Sequence, residues 1–267
     1  MKPLLSICIP TYNRERYLGE ILAMLGPQLE GKAAAKTELV VIDNASTDST
    51  PQTLAGFAAK HPAARCLRNE TNIGGDRNFL RCIREAKGEY VWLVGDDDLV
   101  HEGAVAKTLA LLEEHAPALL IAAEHQRDGV AVYDNYRECL LHEKSPSGDF
   151  AIDHTLITAN IFRRGLFDLD FAEATLHLSY AHMFGLMKNL KSGKVVVASA
   201  LISERPVRAE FAKYPSFLCI KHAIYLRFLA KTFDLPRLRF RAILKALNLP
   251  MEFGSRIKFH LKKLFAK

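Results

Sequence analysis

The sequence predicts an α/β protein: a Rossmann-like, mainly parallel sheet with helices on both faces, followed by a basic helical extension at the C-terminus. Three observations predict it. Through the first 115 or so residues, short apolar runs alternate with stretches whose apolar residues recur at helical spacing, the β-loop-α repetition of a parallel sheet. Three of the apolar runs end in polar loops, at 11–13, 43–44 and 96–98. Charge is segregated: residues 213–267 carry 13 Lys and Arg against 2 Asp and Glu, a net +11, while residues 1–212 carry 23 against 28, a net −5.

The elements follow in order. Residues 4–9 read as a first strand, with a loop over 10–14, and 16–29 as a helix with Leu18, Ile21, Leu22 and Leu25 on one side. A strand over 38–42 ends in Asp43-Asn44. The turn-rich 45–50 then leads to a helix over 51–60, with Pro51 suited to its first turn. A short strand at 65–68 precedes the glycine turn Asn72-Ile73-Gly74-Gly75 and a helix over 76–86. Then come a buried strand at 90–94, an acidic turn and a helix over 103–115. Beyond these lie strands at 119–123, 158–162 and 195–198, an irregular charged stretch at 131–150, and a helix over 176–189. Residues 203–213 read as a charged loop, and 215–231, 237–247 and 255–267 as helical.

A hydrophobic content of 49% with 25% charged residues fits a soluble domain with a sizeable core. The five cysteines are scattered, odd in number and without C-x-x-C spacing, which argues against a zinc site or a disulfide framework and for a cytoplasmic setting. The N-terminal apolar run is broken at Pro10 too soon for a signal peptide, and no run reaches the length of a membrane span.

The acidic turn is the most informative segment. Asp96, Asp97 and Asp98 repel one another and lose hydration unless a cation or strong donors balance them. Just past the carboxyl end of a strand, they stand where open α/β sheets bind ligands. Oxygen ligands suit Mg²⁺ or Mn²⁺, which commonly bridge a carboxylate to phosphates. The reading is a metal-assisted nucleotide site; the alternative is a solvated turn capping the helix that begins near Glu102. In a parallel sheet the other strand ends gather at the same edge. There Asp43 can accept from a base or ribose, Tyr12 can lie against a base, Gly74-Gly75 admits close backbone approach, and Arg77 can meet a phosphate. Each has a plainer role open to it: core packing for Tyr12, a turn for the glycines, a cap or Asx turn for Asp48.

Four segments, 6–14 (SICIPTYNR), 41–48 (VIDNASTD), 72–78 (NIGGDRN) and 95–98 (GDDD), resemble in order the motifs of family 2 nucleotide-sugar glycosyltransferases. The resemblance implies a GT-A fold, an NDP-sugar donor (UDP, dTDP or CDP), Mn²⁺ or Mg²⁺, and transfer with inversion. It implies that Pro10, Thr11, Tyr12, Asn13, Asp43 and Asn44 surround the base and ribose. Asn72, Gly74, Arg77 and Asn78 would line the nucleotide pocket, Asp96 and Asp97 would face the nucleotide, and Asp98, with Asp96, would hold the metal. The GDDD form resembles the abequosyltransferase-like branch that builds bacterial O-antigens. The resemblance divides the chain into a transferase domain at 1–212, with a nucleotide-binding half (1–115) and an acceptor half (116–212), and the extension at 213–267.

The family usually supplies its general base as an acid near the start of a helix in the second half. Here that stretch is 179–186 and His182 stands in the acid's place; an unperturbed imidazole titrates near neutrality and is competent, and the alternative is a helix residue packing on the sheet. Asp170 is the acidic alternative, with Asp168 and Glu173 beside it. Thr158-Ala159-Asn160 is expected near the acceptor cleft, and Arg205 and Arg208 are candidates to close over the diphosphate. In the tail, Ile257, Leu261, Leu264 and Phe265 share a side among five cations, the pattern of a helix on an anionic membrane surface. That pattern suits a saccharide or lipid-linked saccharide acceptor and a peripheral place at the inner membrane; packing on the domain is the alternative. Two rival functions are a nucleotidyltransferase, which normally wants a glycine-rich phosphate loop after its first strand, and a binding protein with a nucleic-acid-binding tail. The acidic body argues against nucleic acid as a partner.

Overall fold

The computed structural model describes residues 2–122, 129–143, 156–178, 180–203, 224–225 and 228–234. Its first half runs β1 (Leu5–Thr11), α1 (Glu15–Leu25), α2 (Gly31–Ala34), β2 (Thr37–Asp43), α3 (Thr50–Lys60), β3 (Arg65–Arg68), α4 (Gly75–Glu85), β4 (Tyr90–Leu93), β5 (Leu99–Val100) and α5 (Ala104–His115). Then follow β6 (Leu119–Ala122), β7 (Val130–Tyr133), α6 (Tyr136–His142), β8 (Asn160–Arg163), α7 (Leu169–Ala174), α8 (Ala181–Met187), β9 (Val195–Ala198) and β10 (Ile202–Ser203). Eight strands form one sheet in the order β3-β2-β1-β4-β8-β6-β9-β7, and β5 pairs with β10 apart from it. The first four are parallel, β6 and β9 are parallel to each other, and β8 runs antiparallel to both of its neighbours.

Alternation along the strands sends side chains to two cores. Leu5, Ile7 and Ile9 of β1, with Val41, Trp92 and Leu120, meet Leu18, Ile21 and Leu22 of α1 and Val105 and Leu112 of α5. Cys8, Val40, Ile42, Val91 and Leu93 face the other side, against Leu80 and Ile83 of α4 and Met183, Phe184 and Met187 of α8. This is the expected mainly parallel sheet with helices on both faces.

The structure departs from the sequence reading at several places. Pro10 and Thr11 belong to β1 rather than to the loop after it; Pro10 stands opposite Ile42. Proline is tolerated because Val94 N donates to Cys8 O, and the next donor toward β4 would be residue 10, where the β4 pairing has ended. The first helix stops at Leu25 and continues as a 3₁₀ turn over Gly26–Leu29, which contains Pro27. The stretch read as irregular holds β7 and α6; the Asn135 side chain caps α6 by accepting from Glu138 N at 2.9 Å. The helix read over 176–189 is broken by Tyr180, whose φ of 55° ends a 3₁₀ turn before α8 begins.

Part of the stretch read as an extension lies on the domain. Tyr225, Leu229 and Phe233, spaced by four, are buried in the same core as α8, and Arg137 Nε donates to Phe233 O at 3.1 Å. The residues on either side, including the basic segment 255–267 and Arg205, lie outside the described residues. Among the described residues no helix is long and apolar enough to cross a membrane.

Candidate active site

The parallel register brings the strand-end groups to one edge. Thr11, the last residue of β1, stands opposite Asp43, the last of β2, and β4 on the other flank of β1 leads into Gly95 and the three acids. Thr11 Oγ1 donates to Asp96 Oδ2 at 2.6 Å. Asp98 folds back: its N–H donates to Gly95 O at 3.2 Å and its carboxylate accepts from the Thr158 hydroxyl. Gly95 N donates to the same Thr158 oxygen at 2.8 Å. A Cβ on Gly95 would lie 2.6 Å from Asp98 Oδ2, so this turn closes only over glycine. Asp97 alone of the three faces outward and pairs with Arg14 Nη1 at 3.4 Å. The acids do not cap α5, whose N-cap is Gly103 with no side-chain cap bond.

Asp96 and Asp98 are only 9% and 5% exposed. Burial pushes the Asp96 carboxyl up to about 7; the Thr11 hydroxyl opposes the rise, the charge of Asp97 adds to it, Arg14 offsets part, and Asp98 adds again. A buried acid pair with this bias fits a cation.

The β2 end is a preorganised polar cradle. Asp43 Oδ1 accepts from Ser46 N at 2.9 Å, and Oδ2 pairs with Arg68. Asn44 Oδ1 accepts from Asn69 Nδ2 at 2.7 Å and Ile73 N at 3.0 Å, while its Nδ2 donates to Asn72 Oδ1 at 2.8 Å. Asn78 is buried: it donates to Ile42 O and accepts from Asn69. Asn13, at φ 51°, accepts from Thr47 N at 2.7 Å and so ties the β1 loop to the β2 loop. Asp48 forms the expected Asx turn on Thr50 N and also accepts from Glu15 N. Gly74 has φ 86°, a position that favours glycine at the start of α4. Tyr12 is exposed at the crevice edge, and Arg77 is exposed on the first turn of α4, with no hydrogen bond or ion pair among the described residues. The expected pocket group thus divides: Tyr12, Asn72 and Arg77 are open to a ligand, while Pro10, Asn13, Asn44 and Asn78 hold the backbone that shapes it.

The two base candidates lie at opposite edges. Arg164 N donates to Glu89 O at 2.8 Å, ahead of β4, and Glu173 pairs with Arg84 in the last turn of α4. Asp170 is exposed in the first turn of the helix between them, α7, at the amino end of the sheet. The acidic turn is about seven residues of extended chain away, roughly 20 Å at about 3.3 Å per residue, so Asp170 stands apart from the crevice. Asp168 caps α7 and pairs with Lys188 at 2.7 Å. α8 rises from that edge in reverse: its end lies by Asp168, and near its start Met183 Sδ is 3.6 Å from Asn160 Nδ2, two residues from Thr158. His182, 7% exposed, is therefore on the crevice side, its ring edge-on to Phe79 of α4 at 6.0 Å and near Tyr180 at 6.3 Å.

The family model described as "Glycosyl transferase family 2" matches residues 6–168, which include the crevice-forming strand ends and Thr158. The chain belongs to glycosyl transferase family 2. It is 36% identical to the abequosyltransferase RfbV of Salmonella typhimurium over 118 residues, 44% of this chain and 35% of that protein. Among solved structures it is similar to S. aureus TarS 1–349 in complex with UDP-GlcNAc, with TM-score 0.55 and 21% identity over 88% of this chain and 74% of that one. It is also similar to the mannosyltransferase PcManGT of Pyrobaculum calidifontis in complex with GDP-Man and Mn²⁺, with TM-score 0.62 and 18% identity over 92% of this chain and 69% of that one. The fold is GT-A. The chain spans about a third of the length of the curated relatives it matches.

Within this family 2 chain, three residues at the site, Arg14, Arg68 and Asn69, escaped the sequence reading, as did the contact of Thr158 with Asp98. Arg68 and Asn69 end β3, so the strand-end rule that selected Thr11 and Asp43 also selects them. Among the described residues, no three His, Cys, Asp or Glu side chains converge on one point. A divalent ion held by Asp96 and Asp98 therefore needs waters or ligand oxygens to complete its shell, as Mg²⁺ and Mn²⁺ commonly do.

The bias on Asp96 has a measurable sign. An acid whose folded pKa is raised favours the fold fully below its unfolded value, near 3.9, and loses that contribution as pH rises toward about 7. Asp96→Asn should therefore melt several degrees above wild type at pH 8 without divalent ions, and the gap should close near pH 4. Equal melting temperatures at pH 8 would show that ionised Asp96 carries no penalty.

Proposed function

We propose that this chain is a divalent-metal-dependent, inverting glycosyltransferase that moves a sugar from a nucleoside diphosphate to a saccharide acceptor. The observation that carries the reading is the buried pair Asp96 and Asp98 at the carboxyl edge of a parallel sheet, biased toward a cation, in a family 2 chain. A divalent ion there would supply positive charge to the departing diphosphate. Thr11 holds Asp96 toward the crevice; Tyr12 offers a face to the base, and Arg77 an exposed guanidinium to a phosphate. His182 takes the proton of the acceptor hydroxyl as its oxygen bonds the anomeric carbon and the bond to the diphosphate breaks. The partly buried Phe79 ring packs edge-on against the imidazole, 6.0 Å between ring centres.

The donor class is a UDP-, dTDP- or CDP-sugar. TarS and PcManGT in their complexes hold UDP-GlcNAc and GDP-Man. Likeness to an abequosyltransferase supports a place in bacterial surface polysaccharide synthesis, with a lipid-linked acceptor. The basic amphipathic pattern of 255–267 supports a peripheral site on an anionic inner leaflet. The nucleotidyltransferase reading has no support in the β1–α1 turn, which carries no glycine-rich phosphate loop.

Three measurements test this. Calorimetry with UDP, dTDP, CDP and GDP should find one that binds only with Mn²⁺ or Mg²⁺, and Asp98→Ala should abolish that binding; no binding of any of the four would sink the transferase reading. His182→Ala should lower kcat by about 10²–10⁴-fold with donor binding unchanged, whereas retained turnover would move the base elsewhere. Full-length protein should sediment with phosphatidylglycerol vesicles, and Lys262→Glu with Lys263→Glu should weaken that by about tenfold or more. An unchanged partition would favour a tail packed on the domain.

A further inference from the structure

The segment between β7 and β8 enters the sheet at a place that its sequence does not advertise. Residues Ile157–Ala159 form a single 3₁₀ turn, after which β8 threads antiparallel between β4 and β6. Thr158 in that turn has no exposed surface. Its carbonyl oxygen accepts from Trp92 Nε1 at 2.9 Å, anchoring the turn to the middle of β4. Its hydroxyl accepts from Gly95 N at 2.8 Å, which leaves the single hydroxyl proton directed at Asp98 Oδ2.

We propose that Thr158 is a positioning residue for the metal-binding carboxylate. By holding Asp98 Oδ2 with its hydroxyl, it fixes the rotamer of the carboxylate before any ligand arrives. This rests on the transferase reading and goes beyond it, because it assigns a residue from the second half of the chain to the first half's acid cluster. The chemistry is that of an outer-shell group. A carboxylate with one oxygen held by a hydroxyl loses less freedom on binding a cation. Two independent anchors, one to a backbone N–H and one to an indole, keep the hydroxyl itself from rotating away. The same turn leads through Asn160 to Met183, the neighbour of His182, so displacement of Thr158 would be felt at both ends of the crevice.

The test is Mn²⁺ binding by the full chain, read as free Mn²⁺ in electron paramagnetic resonance, with the nucleoside diphosphate that binds wild type. Thr158→Val keeps the shape and removes the hydroxyl; it should weaken Mn²⁺ by about 10–100-fold, the range found for outer-shell partners. Thr158→Ser keeps the hydroxyl and should stay within about threefold of wild type. Unchanged Mn²⁺ affinity in Thr158→Val overturns the assignment. So does a tenfold loss in Thr158→Ser, which would mark a packing role, and that arm stands even if the valine variant fails to fold. Wild type that binds no Mn²⁺ with any nucleotide overturns the metal-dependent transferase reading and this assignment with it; wild type that binds while Thr158→Val binds equally overturns the assignment alone.

Discussion

Two carboxylates buried within three residues of each other, Asp96 and Asp98, set the terms for the structure around them. Removing such groups from water is unfavourable unless donors or cations replace the lost hydration. The surroundings supply donors one at a time: the Thr11 hydroxyl for Asp96, and the Thr158 hydroxyl for Asp98. Asp97, half-exposed, pairs with Arg14. Burial still pushes the Asp96 carboxyl up to about 7 against the Thr11 hydroxyl. A site held in this state is poised for a cation that arrives with its ligand.

Much of this was legible in the sequence. The strands at 38–42, 65–68 and 90–94 and the helices at 51–60 and 76–86 follow from local apolar periodicity and from Gly and Pro punctuation. Thr11, Asp43 and Asp96 could be placed together because parallel strands share an edge. What local pattern cannot carry is pairing across long separations. Thr158 meets Asp98 across sixty positions, and nothing in a run of isolated apolar residues announces that β8 will run antiparallel between β4 and β6. The break at Tyr180 was hidden because a tyrosine in the left-handed region is imposed by packing rather than by its own preference. Asp170 and His182 sit close in sequence and at opposite edges of the sheet, a distinction that only the course of α7 and α8 reveals.

The asparagines show how one residue type divides its work. Asn44, Asn69 and Asn78 spend their amides on each other, on backbone, on Asn72 and on Arg81, so the β2 and β3 loops are held by one connected network. Asn72, at its margin, is exposed. In sequence all four look alike as polar residues near strand ends. Burial separates those that build the crevice from the one that faces it.

The antiparallel course of β8 also constrains the order in which the sheet can be completed. Strands β1 to β4 are all present once residue 93 has been made, and they form a contiguous parallel block in the order β3-β2-β1-β4. β6 cannot join that block, because its place beside β4 belongs to a strand some forty residues further on. A nascent chain on the ribosome that stops between the two therefore carries an open edge on β4 and an orphaned, wholly apolar β6. Synthesis of residues 160–163 closes the β4 edge and gives β6 its first partner, while the other edge of β6 waits for β9, so the strand that delivers Thr158 to the acids also ends the interval in which the parallel block lies open at β4.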